Sequence, residues 1–150
     1  MKNIIIAFLL FLLCSFKNDK GINPDAIEGK WMSLENNLEV EVFKSGNEYK
    51  AIVIWFDDSD DKSQPMHQRC DIQNPNKTLR TRKIIGMEIM HGLVFDAGDE
   101  EWKDGTIYDS RTGKNWNVKA WINNEGILKV RGYWHFEIFG KTRGLRRIEQ

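Results

Sequence analysis

Asn115-Trp116-Asn117-Val118-Lys119-Ala120-Trp121-Ile122 is the stretch that decides the fold class. Trp116, Val118, Ala120 and Ile122 fall on one face of an extended chain. Asn115, Asn117, Lys119 and Trp121 fall on the other, the period-two pattern of a half-buried β-strand. The pattern recurs upstream, where Leu38, Val40 and Val42 alternate with Glu39, Glu41 and Phe43. After a turn at Ser45-Gly46-Asn47, whose Gly and Asn supply the turn chemistry, Glu48 to Phe56 puts Tyr49, Ala51, Val53 and Trp55 on one side. Strand character returns at Ile84 to Val94, interrupted by Gly86 and Gly92, and again at Trp102 to Tyr108. Beyond the turn Asn123-Asn124-Glu125-Gly126, Leu128, Val130 and Gly132 alternate with Lys129 and Arg131, and a last strand is expected from about Glu137 to Arg147. No window carries a convincing helical period. Eight or nine short strands joined by turns predict an all-β domain, either barrel or sandwich. Because strands adjacent in sequence usually pair, the expectation is a single small up-and-down antiparallel β-barrel. One long loop, about 57–82, breaks the pattern with Pro65, Pro75 and the acidic run Asp57-Asp58-Ser59-Asp60-Asp61. Loops of that length are usually functional or disordered.

The N-terminus carries an address. Lys2 precedes an unbroken apolar run, Ile4 to Leu13, and Lys17, Asn18, Asp19 and Lys20 follow soon after. This is the n-region and h-region of a secretory signal, and it is shorter than the roughly 20 apolar residues that span a bilayer. Residues 1–16 therefore read as a signal peptide and 27–150 as the barrel domain, in a protein exported to the periplasm or beyond the cell. Cys14 offers a second reading, a lipoprotein cysteine that is acylated, and membrane association is expected only in that case. Cleavage leaves Cys70 as the remaining thiol, for which burial is the commonest fate. The 22 basic and 22 acidic residues balance, and the loss of Lys2 makes the mature chain slightly acidic. Nucleic acid, whose binders carry a basic face, is excluded as a partner on that ground.

Gly29-Lys30-Trp31 resembles the Gly-x-Trp that opens the first strand of lipocalin-like barrels, and Arg146 and Arg147 stand where those barrels keep a basic residue over that Trp. Three further stretches, in order, look like the exported bacterial proteins grouped as domain of unknown function 2147. The first is Asp71-Ile72-Gln73-Asn74-Pro75 with Leu79-Arg80 and Gly86. The second is Asp104-Gly105-Thr106-Ile107-Tyr108-Asp109 with Gly113-Lys114. The third is Leu128-Lys129-Val130-Arg131-Gly132-Tyr133 with Phe139-Gly140-Lys141-Thr142. The resemblance covers about Ile27 to Ile148 and implies export and a lipocalin-like barrel. The chain departs from the family at Leu145, where Trp is usual, and at Asn115, which displaces an aromatic to Trp116.

Asp71, Asn74, Arg80, Tyr108, Asp109 and Arg131 are the candidate ligand-binding residues, polar side chains carried by those motifs. Each also has a plain structural use: Asp and Asn cap turns, and Arg–carboxylate pairs join loops to strands. The acidic run at 57–61 lacks the spaced carboxylates and distal Glu of a calcium loop. His67, Cys70 and Asp71 are zinc-type donors, but no second pair stands at ligand spacing, so no metal and no cofactor is expected. Cys70 near His67 is the one local nucleophile–base pair, and no catalytic residue is assigned. The expected function is a non-enzymatic barrel binding a small apolar or lipid-like ligand. A structural or interaction protein of the envelope is the alternative, and a hydrolase-type enzyme the third reading. Barrels of about eight strands can hold one ligand or be filled by their own side chains, and Trp55, Trp116 and Phe139 are the large residues available for filling.

Overall fold

In the computed structural model, residues 21–148 are described, and the barrel they form is closed. Eight strands follow one another around it: β1 (Gly29–Ser33), β2 (Leu38–Ser45), β3 (Glu48–Phe56), β4 (Glu88–Asp96), β5 (Glu101–Asp109), β6 (Lys114–Ile122), β7 (Leu128–Tyr133) and β8 (Lys141–Arg147). Every sequential pair is antiparallel, and β8 returns to pair with β1 through Trp31↔Arg147, Met32↔Arg146 and Ser33↔Leu145. Closure leaves no edge strand with unpaired backbone groups. The expected up-and-down meander is therefore the observed one. Among the described residues helix is confined to three short 3-10 turns, Pro24–Ile27, Lys77–Leu79 and Glu137–Phe139. The signal segment 1–16, Cys14 included, lies outside the described residues, as does the side chain of Phe139.

Alternation sets what faces inward. Val40, Val42, Tyr49, Ala51, Val53, Val118 and Ala120 are all buried, each on the face read from its strand pattern. Together with Trp31, Leu93, Trp102, Leu128 and Leu145 they form the core. Leu145, where the family usually has Trp, lies opposite Leu128 and is buried.

One end of the barrel is plugged. Asn23 caps the Pro24–Ile27 turn by accepting from Asp25 N, and Pro24 sits at its first position, where a missing N–H costs nothing. The turn lies across the barrel base. Trp31 Nε1 donates to Ile27 O at 2.8 Å and Trp102 Nε1 donates to Pro24 O at 3.0 Å, so both buried indoles find a carbonyl. Tyr49 OH and Lys44 Nζ both donate to Asp25 Oδ1, tying the plug to β2 and β3. Ile22 N donates to Glu100 Oε1 in the β4–β5 turn, which brings the chain in at this same end. Arg147 completes the seal. Its guanidinium lies 4.2 Å from the Trp31 ring centroid and donates to Glu28 O (2.7 Å) and Ala26 O (2.5 Å). Gly29 makes room for it: a Cβ there would fall 2.7 Å from Arg147 Nη1, and φ is +121°. The Gly-x-Trp pattern thus has a steric cause.

Five expectations need correction. Strand β4 begins at Glu88 rather than Ile84, because Gly86 takes a positive φ and Met87 N closes a turn on Ile84 O. The long loop accordingly runs to residue 87. The last strand begins at Lys141, since Glu137–Phe139 coils into a 3-10 turn. Trp55 is half-buried and stands outside the core: a register shift beyond Val53 sets it opposite Glu39. Trp116 is also only half-buried, at the far end of β6. Cys70 is half-buried rather than buried, with its thiol 3.4 Å from Gln68 O.

The Arg147 seal is testable by mutation. Trp31→Ala should cost about 3–5 kcal/mol as a buried aromatic, and Arg147→Ala about 1 kcal/mol or more. Arg146, whose bond to Asn36 Oδ1 is exposed, should change stability by less than about 0.5 kcal/mol when truncated. A double-mutant cycle in urea should find coupling of about 0.5–2 kcal/mol for Trp31 with Arg147. Zero coupling would remove the seal from this description.

Candidate functional site: the open end of the barrel

The end opposite the plug gathers four connections: the β1–β2 turn at 34–37, the long loop at 57–87, the β5–β6 turn at 110–113 and the segment 134–140 between β7 and β8. The candidate residues lie here, but in three separate groups. The first is a buried knot on the long loop. Asp71 is fully buried, and Asn74 is 5% exposed. Asp71 Oδ2 accepts from Asn74 Nδ2 (2.7 Å) and Arg82 Nη2 (2.8 Å), while Oδ1 accepts from Tyr108 OH (2.7 Å). The loop backbone crosses itself at the same place, Asp71 N donating to Arg82 O at 2.9 Å. Arg80 joins from outside, its Nε donating to Asn74 O at 2.8 Å.

Asp109 forms the second group with its own turn, accepting from Arg111 N and Thr112 Oγ1. Gly113 ends that turn at φ +68°, and a Cβ there would collide with Gln73 O. The loop is thus seated directly on the β5–β6 turn. Arg131 stands apart on β7. It donates to Glu137 O, Ile138 O and Thr142 Oγ1 and holds the 134–140 segment in place. Lys119 supports the same segment through Glu137 at 2.8 Å.

The acidic run has its own organiser. Arg69 pairs with Asp60 and donates to Asp58 O, Asp61 O and Gln64 O, and this pairing holds the Asp60 carboxyl below its ordinary value. Among the described residues no group of three or more His, Cys, Asp or Glu stands together as a metal site.

The knot is polar, and its one buried side-chain nitrogen without a partner among the described residues is Arg82 Nε. Burial by itself would push the Asp71 carboxyl up, yet donation from Asn74, Tyr108 and Arg82 outweighs it and holds the group below the ordinary carboxylate value. Burial and the Asp71 hydrogen bond push the Tyr108 phenol up to about 12. Arg82, which the motifs did not single out, is the cationic partner, and its ring-face contact with Tyr108 at 5.8 Å adds to the knot.

A different surface at this end stays unoccupied by protein. The rings of Trp116 and Trp134 meet edge-to-face at 5.8 Å and 76°, and His135 packs 5.3 Å from Trp134 on the same segment. Around them lies an open cleft of about 340 Å³ lined by Thr106, Asn115, Trp116, Asn117, Trp134 and His135. A second hollow of about 540 Å³ shares Asn115, Trp116 and Trp134 and adds Lys114. Trp134 is 54% exposed despite its size. The aromatic run Tyr133-Trp134-His135-Phe136, just where alternation fails after Gly132, is the signal in the sequence that could have found it.

The knot carries a pH signature. Asp71, depressed in the fold, stabilises the protein above its unfolded value near about 4, and that contribution is lost as pH falls through the folded value. Tyr108, raised in the fold, stabilises below about pH 10, and its contribution is lost as pH rises towards 12. Asp71→Asn should cost about 2–3 kcal/mol, with the partly wet Arg82 side contributing least. It should also flatten the acid limb of stability against pH in urea titrations. Tyr108→Phe should flatten the alkaline limb, and unchanged limbs would mean that the knot contributes nothing to the native state.

The architecture has known counterparts. The solved structure of protein HP1028 from the human pathogen Helicobacter pylori, described as belonging to the lipocalin family, is similar to this chain. The TM-score is 0.68 at 25% identity, covering 82% of this chain and 83% of that chain. No curated protein matches the chain. The family model described as "Uncharacterized protein conserved in bacteria (DUF2147)" matches residues 29–147, the span from Gly29 to Arg147 that makes up the whole closed barrel, and the chain belongs to that family.

Proposed function

We propose that this is an exported lipocalin-like barrel that binds a small, partly apolar ligand at its open end, as a binding protein rather than an enzyme. The observation that carries the proposal is the contrast between the two ends. The closed half is filled by Ile27, Trp31, Leu93, Trp102, Val118 and Leu128, all fully buried, beneath a hydrogen-bonded plug. The open end keeps a cleft walled by two tryptophans. Its volume lies in the range of small-molecule sites. A barrel filled at one end and hollowed at the other has its ligand at the mouth, against Trp116, and not in a deep central chamber. The knot at Asp71, Asn74, Arg82 and Tyr108 then acts on the ligand indirectly, by fixing the long loop that borders the mouth. Export rests on Lys2 and the apolar run Ile4 to Leu13.

The envelope-interaction reading keeps one observation in its favour. Phe136 and Ile138 are 67% and 79% exposed on the segment beside the cleft, more apolar surface than a ligand in the cleft would cover.

Two measurements test the proposal. Residues 1–20 fused to a reporter active only outside the cytoplasm should give signal, and fatty-acid labelling that vanishes in Cys14→Ala would identify an anchored form. Activity confined to the cytoplasm would overturn export. Protein purified from its own host without denaturant should show retained ligand mass by native mass spectrometry, at lower occupancy in Trp116→Ala. A bare apoprotein mass from the host would count against binding.

A further inference from the structure

Trp134 is 54% exposed and makes two ring contacts, to Trp116 and His135, and the other side chains around it are polar. Thr106, Asn115, Asn117 and His135 all carry hydrogen-bonding side chains, and among the described residues none of the four makes a side-chain hydrogen bond. Asp71, Asn74 and Tyr108 bond to one another, whereas Asn115, Asn117 and His135 are exposed at the cleft. Their spacing is fixed by the sheet. Asn115 and Asn117 point the same way from β6, about 7 Å apart as alternate residues of a strand. Thr106 lies directly opposite Asn117 on β5. Carboxamides supply donor and acceptor in one plane, which suits adjacent hydroxyls. Lys114 lines the adjoining hollow and brings one cation to the margin of the cleft.

From this geometry we infer that the Trp116–Trp134 cleft is a saccharide site, taking a neutral or singly acidic sugar ring whose apolar C–H face lies on Trp134 and whose hydroxyls meet Asn115, Asn117 and Thr106. This rests on the reading of the open end as the ligand site and names the ligand's chemistry. An alkyl chain fits worse, because covering these polar side chains with hydrocarbon takes them from water and offers no partner in return. A multiply charged ligand finds one cation and no further partner. A sugar satisfies both halves of the lining at once, its apolar face on Trp134 and its hydroxyls on the amides, which point away from the strand face that carries Trp116. The shallow, open form of the cleft also suits a ring at the end or edge of a longer glycan, which needs room to leave on both sides.

The test is an array of neutral and uronic-acid oligosaccharides probed with labelled full-length mature protein, with hits measured by titration calorimetry and palmitate as the comparison ligand. The expected result is binding to a subset of glycans. Trp134→Ala should weaken it at least tenfold, Asn117→Ala about threefold to tenfold, and Trp134→Phe should restore part of the loss. Trp134 is exposed, so its variants should fold, and an unchanged urea midpoint confirms it. Array-wide silence overturns the saccharide inference, as does glycan binding indifferent to both Trp134→Ala and Asn117→Ala. Palmitate binding that Trp134→Ala weakens, without glycan binding, overturns the saccharide class while leaving the open end as the ligand site. Retained host ligand that is indifferent to Trp116→Ala and Trp134→Ala would remove the site itself.

Discussion

The contact between Arg147 and Trp31 joins the last strand to the first, and the remaining geometry follows from that junction. A sheet of eight strands can end in two edges or bend until they meet, and meeting requires the terminal strands to carry something that prefers each other to water. Here a buried indole donates to the plug carbonyl of Ile27 while a guanidinium crosses its face and fastens on Ala26 and Glu28. Three elements distant in sequence are thereby locked at one point. The register of β1 against β8 leaves no freedom to slip, because a one-residue shift would turn Trp31 to solvent.

Once the base is sealed, the molecule divides its labour by height. Side chains near the plug are packed and dry, and those near the mouth are half-buried: Ile107, Trp116 and Val130 all stand in this middle zone. Three of the four mouth connections are each held in a different way. The long loop is fixed by a buried carboxylate, the β5–β6 turn by Asp109, and the 134–140 segment by Arg131 and Lys119. Polar residues in the family motifs therefore place loops, and the surface they place is built from residues outside most of those motifs.

How far the sequence could be read depended on the range of the interaction concerned. Strands β2, β3 and β6 were legible because alternation is local, and barrel closure because Gly29, Trp31 and the terminal arginines form a pattern with one geometric meaning. The start of β8 was not: Ile138-Phe139 looks extended in isolation, and only the Arg131 bonds to Glu137 O and Ile138 O show why the chain coils there. Trp55 was misassigned because a register shift, invisible in composition, inverts the phase beyond Val53. The candidate polar residues were recognised individually, but Asp71 and Tyr108 are 37 residues apart, and their union with Arg82 exists only in the folded chain. Trp134 escaped notice because it follows the point where periodicity stops.

The hydrogen bond from Ile22 N to Glu100 gives the barrel a direction in space. Gly21, where the described chain begins, stands at the plugged pole, at the opposite end from the Trp116–Trp134 cleft. Anything joined to the barrel through Gly21 therefore meets it at the sealed base, and the cleft is reached from the other side. The entry of the chain and the aromatic rim are thus kept a barrel's length apart, so neither crowds the other.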